Sequence, residues 1–169
     1  MVSYRMRDHK IIAATGAFAG YTAIMAVLES RMRATGGPGI IPFELAGSAF
    51  RAEQIMAQWG RAGERAARVS MWLDFGYMTT YGALAALLID RARRRRGHPR
   101  VLTSAAIVAV AGDAIEGVSL IKVLDRKHVD THARRARAAA LVKFAALAGA
   151  LGYVLAEAAT PSRGLADLR

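Results

Sequence analysis

Four long apolar runs constrain this chain more than any single residue does. They cover 11–28 (IIAATGAFAGYTAIMAVL), 71–89 (MWLDFGYMTTYGALAALLI), 101–121 (VLTSAAIVAVAGDAIEGVSLI) and 138–156 (AAALVKFAALAGALGYVLA). A hydrocarbon core about 30 Å thick is crossed by roughly 17 to 25 helical residues, so each run is long enough to span it. Hydrophobic residues make up 54% of the 169 and are gathered into these runs rather than spread periodically. The expected fold class is all-α: a four-helix transmembrane bundle, one integral membrane domain, with spans over about 11–29, 71–90, 101–122 and 138–157. A soluble four-helix bundle needs a polar stripe on each helix, and these runs lack one. The first run follows Arg5, Arg7 and Lys10 but ends in AVLES rather than a small-x-small cleavage site, which reads as a retained span.

The absence of cysteine removes disulfides, thiolate metal sites and thiol nucleophiles. The formal charge is +11, and the basic residues cluster at the ends of the apolar runs, where they anchor a membrane protein and meet anionic lipid headgroups. The run RARRRRGHPR (91–100) has no interleaved aromatic and no fold to present it to nucleic acid, so no nucleic-acid partner is expected. Lys and Arg outside the spans divide almost evenly, eleven to twelve, between the two sides. The six arginines packed into 91–100 favour the cytoplasm for that connection, and so for both termini, Arg163 and Arg169 included.

The first connection has structure of its own. After the turn Gly36-Gly37-Pro38-Gly39 and the breaker Pro42, residues 43–59 place Leu45, Ala49, Ala52, Met56 and Trp59 on one helical stripe, opposite Arg51, Gln54 and Gln58. This predicts an amphipathic helix in the membrane interface or capping the bundle, with Trp59 keeping its ring apolar and its N–H wet. Gly60 and Gly63 end the stripe.

Charged groups inside apolar runs are costly and mark sites. Asp113 and Glu116 lie three residues apart in the third run, Lys143 in the fourth, Asp74 in the second, and Glu29 at the end of the first. Because consecutive spans run antiparallel, all five fall in one leaflet. Tyr77 and Tyr81 follow Asp74 at i+3 and i+7, and alanines flank both Asp113 and Lys143, so the expected interior is a polar cluster in a small-residue seam. Thr15, Ala19, Thr22, Ala26 and Glu29 are expected on the inward face of the first helix, and Gly16 to Gly20 form a GxxxG contact. Asp74, Asp113 and Glu116 against Lys143 sum to minus two if all are ionised. At least one of Asp113 and Glu116 is therefore expected to be protonated at neutral pH, unless the pocket takes up a cation, an amine or a water chain. The alternative is a hydrogen-bonded network that only fixes helix register.

His128 and His132 stand at i, i+4 near Asp125 and Asp130, a spacing that puts two imidazoles on one helical face as weak metal candidates; solvated histidines give the same spacing. No P-loop, GxSxG, HExxH or dinucleotide glycine pattern is present, and no cofactor is expected.

The order FELAGSAFRAEQIMAQWG, LDFGYMTTYG, GDAIEGVSLIKVL resembles a family of small four-span bacterial membrane proteins with no assigned function. In that family an amphipathic segment ending in Trp-Gly precedes an Asp-Phe helix and an Asp-x-x-Glu helix. The resemblance covers residues about 43–124 and implies the same fold, singling out Trp59, Asp74, Tyr81, Asp113 and Glu116. The Ala, Gly and Arg bias resembles that of actinobacterial proteins.

Three functional classes follow. The first is a non-enzymatic accessory or assembly subunit, with a membrane-protein partner or a second copy. The second is a transporter or sensor using the acidic cluster for a proton or cation. The third is an intramembrane enzyme on a lipid or isoprenoid, with Asp113 or Glu116 as general acid.

Overall fold

The computed structural model describes residues 2–159, with side chains from Asp8 onward. The anchoring expected of Arg5 and Arg7, and the C-terminal Arg163 and Arg169, lie outside the described residues. The described part is helical throughout: α1 (Val2–Arg33), the short α2 (Ile40–Glu44), α3 (Ala49–Arg96), a 3₁₀ turn (Arg100–Thr103), α4 (Ser104–Leu124) and α5 (Val129–Ala158). Two of these helices are long and apolar enough to cross a membrane, α1 over Asp8–Arg33 and α5 over Val129–Ala158. By length and composition, then, two of the four expected spans qualify.

The expected interfacial helix over 43–59 is two pieces. The chain leaves α2 at Leu45, and Ser48 then caps α3, its hydroxyl accepting from the Arg51 N–H at 3.3 Å. α3 itself bends at Gly60, where φ 56° and ψ −168° fall in a region open only to glycine. The amphipathic limb thus runs 49–59, and the second limb runs 61–96 through the second apolar run. That limb continues past the expected end near residue 90 because arginines are good helix formers. Arg94 also pairs with Asp90 at 2.7 Å, and the helix stops only at Gly97, which adopts the left-handed cap with φ 70°.

α5 likewise starts nine residues before the expected 138. A four-residue turn, 125–128, reverses the chain from α4, with Arg126 and His128 both at positive φ and the Lys127 N–H donated to the Lys122 carbonyl. Arg68 of α3 holds this turn from the side, donating to Asp125 at 2.6 Å and to the Leu124 carbonyl at 3.2 Å. At the opposite end, Arg91 meets Asp8 at 3.3 Å, Arg95 meets Glu157 at 2.9 Å, and His98 meets the Tyr153 hydroxyl at 3.0 Å. The four long helices therefore alternate in direction, and the arginine-rich connection sits at the same end as the beginning of α1 and the end of α5.

They do not share one centre. α3, α4 and α5 pack together, whereas α1 lies chiefly along α3. Ile11, Ala14, Phe18, Tyr21 and Met25 are half-buried and Leu28 and Met32 buried, a stripe of large residues. The expected inward face of α1 is mistaken: Thr15, Ala19, Thr22 and Ala26 are exposed, and a side chain added at Gly16 or Gly20 would meet nothing within 4 Å. α4 and α5 approach closely at Gly112, whose missing Cβ would lie 3.1 Å from the Ala139 carbonyl oxygen and 3.3 Å from the Lys143 nitrogen. That contact sets Asp113 and Lys143 beside each other.

Candidate functional site

The site lies between two apolar layers. One joins Met32, Phe43, Trp59, Met71, Leu120 and Ala136; the other joins Met78, Tyr81 and Ala109, with Ala146 and Leu147 against them. Asp74, Glu116 and Lys143 each fall, along their own helices, between a residue of the first layer and a residue of the second. Asp113, Glu116 and Lys143 are all buried.

Lys143 is the hub. Its Nζ lies 2.9 Å from Asp113 Oδ1 and 2.8 Å from Glu116 Oε2. Tyr81 donates its hydroxyl to the other Asp113 oxygen, Oδ2, at 2.6 Å. Asp74 is half-buried on α3, seven residues before Tyr81. The ammonium also sits over the Phe144 ring, 4.9 Å from its centroid.

A fourth acid completes the cluster and was not anticipated. Glu44, the last residue of α2, is buried with Oε2 at 3.7 Å from Lys143 Nζ. Its segment is fixed from two sides. The Ile40 N–H is donated to Glu29 Oε2 at 2.8 Å, and the Trp59 indole N–H to the Pro38 carbonyl at 2.6 Å, with the Phe43 and Trp59 rings 4.9 Å apart. Burial raises the Glu44 carboxyl above its ordinary value, and the nearby Lys143 charge opposes this only in part. In the sequence Glu44 is the one acid of IIPFELAGSAF, flanked by Phe43 and Leu45, and that was the available signal.

Four carboxyls against one ammonium would sum to minus three if all were ionised. Lys143 offsets one of these charges directly, its ammonium meeting both Asp113 and Glu116.

Other expected members stand elsewhere. Glu29 does not enter the cluster: it pairs with Arg33 at 2.8 Å and caps α2 through Ile40. Tyr77 stacks on Phe18 and contacts the Thr22 hydroxyl at 3.3 Å, so it links α1 to α3 rather than meeting an acid. Trp59 is buried inside the chain, and its N–H is bound by a carbonyl rather than wet. His128 is exposed in the turn before α5 and His132 half-buried in its first turn; among the described residues no three His, Asp or Glu side chains are arranged to hold a metal.

Comparison with protein-family models, with curated proteins and with solved structures gives no match to this chain.

Proposed function

We propose that the chain is a multi-pass integral protein of the bacterial cytoplasmic membrane, with four spans and both termini cytoplasmic, acting as a non-enzymatic accessory or assembly subunit. The observation that carries the membrane reading is an inverted distribution of polarity. Asp113, Glu116, Lys143 and Ser119 are buried, while Ile12 (67% exposed), Trp72 (63%), Ile107 (70%) and Leu151 (60%) project from the four long helices. A chain folding in water buries the second group and exposes the first. The arginine-dense end, shared by the start of α1 and the end of α5, supports the orientation.

The accessory role is supported by the outer faces. Side chains added at Gly16, Gly20, Gly149 and Gly152 would meet nothing within 4 Å, so α1 and α5 offer small-residue faces on which another transmembrane helix packs closely. The cluster's polar atoms meanwhile engage one another, as in a network that fixes helix register. Purification in mild detergent tests this. The expected particle contains a stoichiometric second membrane chain or a second copy, lost in the Gly16→Leu/Gly20→Leu variant. A monomer in both preparations overturns the role.

The excess of buried carboxyls over the one ammonium they meet favours one further reading, in which the cluster exchanges a proton or cation. A pH-dependent ion flux in proteoliposomes, abolished by Asp113→Asn, would support it, and no flux would remove it.

A further inference from the structure

A second charged feature lies at the opposite end of the molecule. Between the start of α1 and the end of α3 is a cleft of about 350 Å³, within the size of small-ligand sites. Lys10, Arg91, Arg94 and Arg95 line it, against two carboxylates, Asp8 and Asp90. The lining carries a formal charge of plus two, and plus one once the pairing of Arg95 with Glu157 at 2.9 Å is counted. Both acids are already engaged, Asp8 by Arg91 Nη1 at 3.3 Å and Asp90 by Arg94 Nε at 2.7 Å. A guanidinium has five N–H donors, so Arg91 and Arg94 each keep donors beyond those contacts. Lys10 forms no ion pair among the described residues.

The remaining lining is apolar: Ile11 and Leu87. Ile11 opens the first apolar run, and Leu87 lies two residues before the end of the second. The cleft thus straddles a boundary, with cationic donors on one side and the outermost apolar turns on the other. An inorganic anion would gain nothing from the apolar half, and a zwitterionic headgroup brings no net charge to the basic half.

We propose that this cleft is a binding site for an anionic phospholipid, its phosphate against Lys10, Arg91 and Arg94 and its glycerol and first acyl carbons against Ile11 and Leu87. The proposal rests on the membrane reading above. It deepens that reading by naming a bound lipid class and the residues that select it.

The test uses the full-length protein in detergent, titrated with phosphatidylglycerol or phosphatidylcholine of identical acyl chains and followed by native mass spectrometry. Phosphatidylglycerol is expected to be retained preferentially. Lys10→Gln/Arg91→Gln should weaken its binding about 30-fold, since each basic residue near an anionic lipid contributes about a factor of five. Asp8→Asn, which raises the lining charge, should strengthen it. Equal retention of the two lipids, or a preference that survives Lys10→Gln/Arg91→Gln, overturns the proposal. Displacement of the lipid by millimolar inorganic phosphate would make the cleft a free-anion site and overturns it too. Alkaline carbonate extraction checks the membrane reading separately: release of the protein would defeat that reading, whereas a retained protein without lipid preference defeats only the site.

Discussion

Glu44, on a short helix outside the long ones, stands 3.7 Å from Lys143 in the interior of α5. The connection between α1 and α3 is therefore joined to the centre of the molecule by charge as well as by apolar packing. Glu29, Trp59 and Pro38 hold that connection in place from its outer side.

Lys143→Met should be strongly destabilising. It removes the ammonium that meets three buried carboxyls, and breaking a buried ion pair costs about 3–5 kcal/mol. The thermal midpoint in detergent should fall by about 10 °C for a chain of this size. An unchanged midpoint would mean that Lys143 does not neutralise the acids.

Glu44 makes a prediction about pH. Its folded value is raised by burial, so above about pH 4.5 the folded chain keeps a proton that the unfolded chain has released. Stability contributed through this group is therefore greatest at low pH and declines as pH rises from the ordinary carboxyl range through the folded value. Glu44→Gln should flatten that decline and raise the neutral-pH midpoint. Thermal unfolding of both proteins at several pH values measures the slope, and parallel curves would contradict the assignment.

The two tryptophans separate the interior from the lipid face. Trp59 is 1% exposed and Trp72 63% exposed. In bilayers containing brominated acyl chains, Trp59→Phe, which leaves Trp72, should be quenched strongly, and Trp72→Phe only weakly. Equal quenching would place both rings in the same surroundings and contradict the membrane reading of α3.

Gly60→Ala should cost about 1–3 kcal/mol, because an L residue at φ 56° and ψ −168° is strained. The loss is expected as a lower midpoint, with helix content by circular dichroism nearly unchanged. A gain in stability would show that the bend is not required.

The helical class, the core of the cluster and the break at Gly60 were legible in the sequence, for one physical reason each. Asp74, Asp113, Glu116 and Lys143 are conspicuous because apolar runs surround them, and Gly60 because it interrupts an amphipathic stripe. Glu44 is not legible because it falls beside, not on, the apolar stripe expected over 43–59, and only tertiary packing buries it. Glu29 was misplaced by helical phase: the inward face of α1 was read from its threonines and alanines. The helix lies chiefly along α3 and half-buries or buries Phe18, Tyr21 and Leu28, which suits large side chains better than small ones. α3 and α5 continue beyond the expected spans at residues 90 and 138 because the flanking basic residues are good helix formers.

The tight turn at 125–128 has a consequence for how such a chain enters a bilayer. α4 and α5 are adjacent in sequence and antiparallel, and their close approach at Gly112 puts Lys143 against Asp113 and Glu116 without help from any earlier helix. A helical hairpin of this kind carries its own counterions. Translocated as one unit, it covers Lys143 and offsets one of its two acids, whereas either helix alone would present every charge bare, so insertion of the pair should be cooperative.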